Sequence, residues 1–241
     1  MALAPRARSG SPLGPLPSPG LVIDEVGELY DYDRLRRRSA AAIFVPRIRR
    51  ATLVLGGHQS REVVSSAPGT VFDLRRRRGG GGAVLLRPGD LWVDWWLPSG
   101  DPRWSSDVRV SSLRVGQWWA TALTRVTSLP VELYRGPFES GGASFDACFA
   151  GRGPGEVFVG GVKAVGITQW RVREGVFLST VLLARDGLDI TKILRLDPSG
   201  EPVHFDVATL AGLGLGDGEE LLGHVTDLSG PWPAGPNTPE I

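Results

Sequence analysis

The 241-residue chain contains one cysteine, one methionine, one asparagine, two lysines and three histidines. A single cysteine excludes an intramolecular disulfide framework. His58, His204 and His224 stand far apart and, without further cysteines, match no zinc-ligand spacing, so no metal ligand is assigned. No apolar run reaches the roughly 18 residues that a membrane span needs. Gly-x-Gly-x-x-Gly, the P-loop pattern and Gly-x-Ser-x-Gly are also absent, which removes the commonest dinucleotide, nucleotide and serine-hydrolase signatures. A net charge of +1 gives no basis for a nucleic-acid or membrane-surface partner. The first twenty residues are rich in proline, glycine, alanine and arginine but lack the continuous apolar core of a signal peptide. Residues 1–20 are expected to form a disordered arm, with the cytoplasm as the default compartment.

What is present is apolar and aromatic. Hydrophobic residues make up 41% of the chain, with eight tryptophans and eight phenylalanines, enough for a substantial core. Residues 21–42 contain a helix-like stretch with Val26, Leu29, Tyr30 and Leu35 on one face. Strands are expected at 51–55, 71–74, 83–86, 131–134, 157–159 and 176–183. The compact aromatic run 91–97 reads as a strand buried on at least one face. Ser105 or Ser106 is the expected N-cap of a helix running through Arg125, with Val108, Val115, Trp119, Ala122 and Val126 at helical spacing. Its tryptophan pair reads as core. Short helices are expected at 206–213 and 219–228, before a proline-rich tail at 231–241. Strands and helices interleave without a regular βαβ period, and no linker interrupts residues 21–230. The expected architecture is one α+β domain of mixed β-sheets packed with helices.

Three segments carry chemistry. Arg75-Arg76-Arg77-Arg78 runs into Gly79-Gly80-Gly81-Gly82 and then Ala83-Val84. Glycines let a backbone approach a ligand with its N–H groups foremost, and arginine supplies fixed positive charge, so the segment reads as an anion-cradling loop or as a solvated basic turn. Because all basic residues but Lys163 and Lys192 are arginine, a compositional bias weakens the argument from arginine count. In Gly160-Gly161-Val162-Lys163-Ala164-Val165-Gly166, Lys163 either points its ammonium into a ligand site or snorkels at the surface. Cys148-Phe149, upstream of a Gly/Pro-rich stretch, is either a small buried hydrophobe or an activated thiol.

Taken in order, these segments resemble the lipoate–protein ligase A and lipoyl/octanoyl transferase family, within the biotin/lipoate protein ligase fold. The family pattern Arg-Arg-x-Ser-Gly-Gly-Gly-Ala-Val resembles residues 76–84, and Gly-x-Lys-x-x-Gly-x-Ala/Ser-Gln-x-Arg resembles residues 161–171. A weaker likeness is Gly56-Gly57-His58-Gln59 to the family's Gly-x-x-Gln. The resemblance spans residues 50–185 and implies a class II synthetase-like fold. It also implies an enzyme of protein lipoylation that moves a lipoyl or octanoyl group onto a lysine of a lipoyl carrier domain. The carrier would belong to a 2-oxoacid dehydrogenase or a glycine cleavage protein, with an acyl carrier protein as a possible donor. By the same resemblance, Lys163 and Cys148 act on the acyl group. Arg76, Arg77, Gly80, Gly81, Gly82, Ala83, Val84 and Gly166 surround it. Gly79 stands in place of the family serine, and Gly155-Glu156 in place of the Asn-Asp of ATP-using ligases. Cys148-Phe149 is similar to the Cys-Phe of cysteine-dependent octanoyltransferases. A Cys148 thioester relay is therefore placed ahead of ATP- and magnesium-dependent ligation through an acyl-adenylate. A non-catalytic acyl or acyl-adenylate binder of the same fold is the alternative from another class.

Overall fold

The computed structural model describes residues 33, 36–64, 72–139, 147–185, 190, 193–194 and 206–227. The expected arm and tail, and most of the helix-like stretch 21–42, lie outside them. Among the described residues nine strands, β1 (Ala42–Phe44), β2 (Thr52–Leu55), β3 (Asp73–Arg76), β4 (Val84–Leu86), β5 (Leu91–Pro98), β6 (Val131–Leu133), β7 (Val157–Val159), β8 (Val162–Val172) and β9 (Gly175–Leu182), form two sheets. Two α-helices, α1 (Val108–Val126) and α2 (Glu219–Thr226), and one 3-10 turn at Arg61–Val63 accompany them among the described residues. The larger sheet has the order β1-β5-β9-β8-β7-β6 with antiparallel neighbours throughout, and the smaller runs β3-β2-β4.

The larger sheet is a middle layer, and this explains β5. Leu91, Val93, Trp95 and Leu97 join the core against α1 and α2, while Trp92 and Trp96 belong to clusters on the opposite face. All eight residues are buried, as expected of a strand covered on both sides. On that opposite face Val54, Val84 and Leu86 of the smaller sheet meet Trp92 and Val181. The tryptophan pair of α1 is core, Trp119 donating to Thr180 Oγ1 at 2.9 Å and Trp118 to the Val225 carbonyl.

Two expectations change. The N-cap of α1 is Asp107, whose carboxylate accepts from the N–H groups of Arg109 and Val110, a stronger acceptor than the serine hydroxyls beside it. Val108 is accordingly at the exposed start of the helix and outside its buried stripe. Residues 206–213 form no helix: Val207 bridges Lys163 and turns follow from 210, where the Thr209 hydroxyl takes the Gly212 N–H, a local bond that competes with helical pairing. Ala42 opens β1, paired with Trp96.

Asp94, on β5, is fully buried and in register with Phe44 and Ser179. Burial raises its carboxyl to about 8, only partly offset by the Ser179 hydroxyl and the Trp92 indole N–H. Between about pH 4 and 8 the folded state therefore holds a proton that the unfolded chain has released. Stability from this group is complete below the unfolded value and is lost as pH rises through the folded one. We expect Asp94→Asn to flatten that dependence. Urea titrations should show the variant gaining roughly a few kcal/mol on wild type between pH 5 and 8; parallel pH profiles would show that Asp94 is charged in the fold.

Candidate acyl-binding cleft

The arginine run divides at the end of β3. Arg75 and Arg76 are exposed, and Arg78 lies with its guanidinium 5.0 Å from the Trp170 ring centroid. Arg77 turns inward and is 3% exposed. Its Nη2 donates to the carbonyls of Gly80 (2.9 Å) and Gly82 (2.7 Å), its Nε to Gly80 (3.2 Å) and its Nη1 to Val54. Thr168 adds a hydroxyl bond to the same Gly80 carbonyl at 2.8 Å. A trans peptide points its N–H opposite to its C=O, so anchoring the Gly80 carbonyl inward turns the Gly81 N–H toward the open side. Among the described residues no backbone carbonyl takes the N–H of Gly80, Gly81 or Gly82. Gly81 has φ 85°, and a Cβ on Gly56 would stand 1.8 Å from the Gly81 carbonyl oxygen. The loop thus needs glycine both for its own backbone and for the turn packed beneath it.

Opposite the loop stands Lys163, not a snorkelling surface lysine but 4% exposed. Its ammonium meets Glu156 Oε1 at 2.7 Å, the Cys148 carbonyl at 2.8 Å and the Gly151 carbonyl at 2.9 Å, which matches its three N–H donors. Two local features aim it there. A register shift opposite Val157 and Phe158 leaves Ala164 and Val165 both on the helical face, so that Lys163 comes into phase with Gly166 and Thr168. Gly116 of α1 lies so close to the Gly155 carbonyl that a Cβ would be 1.8 Å away, and Gly155 has φ 93°. This flush contact sets Glu156 under the lysine. Burial pushes the Glu156 carboxyl above its ordinary range, with the Lys163 charge and the Gly153 N–H pulling it partly back.

Cys148 links the two walls. Its N–H donates to the Ala83 carbonyl at 2.8 Å beside the glycine loop, while its own carbonyl accepts from Lys163. It is half-buried, and a Cβ on Gly166 would come 3.3 Å from its sulfur. Gly166 therefore lets the Cys148-Phe149 segment rest on β8. Together Arg77, Gly80–Gly82, Cys148, Glu156, Lys163 and Thr168 border a cleft of about 280 Å³.

Of the residues expected around an acyl group, Lys163, Cys148, Arg77, Gly80, Gly81 and Gly82 line this cleft. Val84 and Gly166 line the small inter-sheet cavity just inward of it. Ala83 is buried at the bridge to Ala147, and Arg76 is exposed on β3 and lines neither space. Gln169 and Arg171 of the lysine motif grip α1, Gln169 bonding Ser112 and the Val108 carbonyl and Arg171 bonding Ser111. Sequence reasoning missed Thr168 as an anchor of the loop and Glu156 as the partner of Lys163. For Thr168 a signal existed, a hydroxyl two residues beyond Gly166 on the same strand face. Among the described residues no cluster of His, Cys, Asp and Glu is placed to hold a metal ion, and no helix is long and apolar enough to cross a membrane.

No protein-family model and no curated protein matches the chain. Solved structures do. A lipoate-protein ligase A bound with ATP aligns over 86% of this chain and 82% of its own, at 17% identity and TM-score 0.65. The bi-partite lipoate protein ligase of Thermoplasma acidophilum, described together with its E2 lipoyl domain, aligns over 88% and 84% at 16% identity and TM-score 0.57. P. falciparum LipL1 in complex with lipoate aligns over 83% of this chain and 53% of its own, at 13% identity and TM-score 0.54. The architecture built from these residues is therefore the α+β fold of the lipoate–protein ligase catalytic domain.

Proposed function

We propose that this chain is an acyl-transferring enzyme of the protein-lipoylation type, moving an acyl group onto a lysine of a lipoyl carrier domain. The observation that carries this reading is the joining of three parts by direct hydrogen bonds. They are a glycine loop with its carbonyls anchored inward by Arg77, the backbone of Cys148, whose N–H holds the adjoining Ala83 carbonyl, and a buried lysine on the facing wall that holds the Cys148 carbonyl. In this reading the Gly81 N–H and the Lys163 ammonium receive the acyl oxygen as negative charge develops on it, Lys163 exchanging a backbone carbonyl for that oxygen. The Cys148 sulfur attacks the donor thioester, its proton passing to the donor sulfur as that sulfur leaves as the thiol. The carrier lysine's amine then attacks the Cys148 thioester, forming the amide, and its proton passes to the departing Cys148 sulfur, which regenerates the thiol. The lipoyl or octanoyl length of the acyl group is what the resemblance implies.

The relay is favoured over ATP-dependent ligation by the state of the cleft's carboxylate. Glu156 is the one carboxylate among the described residues lining the cleft, and it already carries Lys163 on Oε1 and the Gly153 N–H on Oε2. As arranged, these residues leave magnesium no unengaged carboxylate. The neighbour with ATP bound keeps ligation as the second reading.

The cradle is tested by Gly81→Val. A β-branched residue is strained at φ 85°, and its Cβ would stand 3.3 Å from Arg77 Nη2. Calorimetric titration with short- and medium-chain carboxylates should show at least a tenfold loss of affinity, while the circular dichroism spectrum stays that of wild type. Unchanged affinity would place the acyl carboxyl elsewhere.

A further inference from the structure

An acceptor lysine reaches this cleft on the surface of another protein, so the rim of the opening has to hold that protein. Large apolar side chains standing in solvent are few among the described residues: Val108 (55% exposed), Leu129 and Phe138 (60% exposed). Two of these flank the cleft. Phe138 lines it together with Gly153, and a Cβ on Gly153 would stand 3.8 Å from the Phe138 ring. Val108 lies one turn of α1 before Ser112, on the same helix side. Ser112 and Gln169 both line the cleft, and Gln169 donates to the Ser112 hydroxyl and to the Val108 carbonyl.

Both side chains stand on fixed backbone. The hydroxyl of buried Tyr134 donates to the Pro137 carbonyl at 2.8 Å, and a Cβ on Gly136 would come 2.3 Å from that hydroxyl, so the corner carrying Phe138 is tied down. Glu139 then pairs through its N–H and carbonyl with Arg152, at 2.9 Å each. Around the apolar pair stand Arg109, Arg135 and Arg152, all exposed. Arg109 donates to the Arg135 carbonyl, and the charges of Arg109 and Arg152 both act on the Tyr134 hydroxyl. Across the opening, exposed Arg78 lies against Trp170 beside the glycine loop. The acidic side chains set among these arginines are Asp107, engaged by two N–H groups of α1, and Glu139, beside Tyr134. The rim is therefore positive, with an apolar centre.

Arginine and an exposed aromatic ring are what protein docking surfaces are enriched in. A lysine ammonium brought toward this rim meets like charge, unless the surface carrying it also brings carboxylates. We propose that the rim formed by Val108, Arg109, Arg135, Phe138 and Arg152 is where the carrier domain docks, and that it takes a face with carboxylates around the acceptor lysine and an apolar side chain to meet Phe138. The inference rests on the reading of the cleft as an acyl-transfer site and adds the chemistry by which that site selects its protein partner.

The test follows acyl transfer against carrier-domain concentration, with the acyl donor (thioester, or carboxylate with ATP and magnesium) held saturating. The proteins are wild type, Phe138→Ala, the pair Arg109→Glu with Arg152→Glu, and Arg125→Glu as control. Arg125 is exposed on the same helix, roughly 24 Å along its axis from Arg109. Phe138→Ala and the arginine pair should each raise KM for the carrier about tenfold while kcat stays near wild type, and Arg125→Glu should change neither. Added salt should raise the wild-type KM and leave that of the arginine pair nearly flat. Carrier domain whose carboxylates beside the acceptor lysine are changed to amides should lose the difference between wild type and the arginine pair. All substituted side chains are exposed, so Phe138→Ala can be read even where the double charge reversal folds poorly. Wild-type KM in Phe138→Ala and in the arginine pair, or an equal rise in Arg125→Glu, overturns the rim as the docking surface and leaves acyl transfer standing. A wild-type protein that acylates no carrier domain with any donor overturns the transfer reading and the proposal with it.

Discussion

Lys163→Met is expected to damage both turnover and fold, and the two losses should be separable. A charge placed on a developing oxyanion is worth about 10²–10³ in rate. The same substitution leaves Glu156 buried without its cation, and breaking a buried ion pair from one side costs roughly 3–5 kcal/mol. The Cys148 and Gly151 carbonyls lose a donor as well. Adding Glu156→Gln to Lys163→Met removes the stranded charge, so the double variant should recover most of the stability in urea titrations while acyl transfer stays at the level of the single variant. Transfer that returns with stability would make Lys163 a structural member of the ion pair, with no contact to the acyl oxygen.

The second large effect is at Cys148. In the relay, Cys148→Ala abolishes transfer, and wild-type protein incubated with an acyl-carrier thioester gains one acyl mass that hydroxylamine removes. Stability should change little, because the side chain is half-buried and its main hydrogen bonds, to Ala83 and from Lys163, are backbone ones. A Cys148→Ala protein that acylates the carrier normally when supplied with carboxylate, ATP and magnesium would make the cysteine a packing residue and ligation the reaction.

Much of this was legible because the informative residues lie in contiguous runs. The aromatic run of β5, the tryptophans of α1 and the strand Val157–Val159 follow from burial on one or two faces, which hydrophobic patterning records directly. The glycine loop and the lysine strand were legible as motifs, since glycine and lysine at those spacings are rare without cause. What escaped depends on register and on close approach. The shift at Val157/Phe158 that turns Lys163 to the cleft leaves no compositional trace, because Ala164 and Val165 suit either strand face. The inward turn of Arg77 among three exposed arginines follows from carbonyls of the loop it stabilises, a tertiary condition that four identical side chains conceal. Trp92 and Asp94 alternate within an apolar run, and only the packing of a second sheet above them makes one an inter-sheet core ring and the other a buried acid. The N-cap of α1 was displaced by one or two residues because three capping side chains stand in succession at Ser105, Ser106 and Asp107.

The central claim is that this cleft places an acyl group on a carrier-domain lysine. The most direct measurement is the intact mass of an isolated lipoyl carrier domain after incubation with the protein and acyl donors of two, four, six and eight carbons. The donors are supplied as carrier-protein thioesters and, separately, as carboxylates with ATP and magnesium. The expected result is a single acyl addition on one carrier lysine from at least one donor, absent when Lys163→Met replaces wild type. A carrier domain of unchanged mass with every donor, under conditions where the protein binds those acyl groups, would contradict the claim and leave a binding protein built on the lipoate-ligase fold.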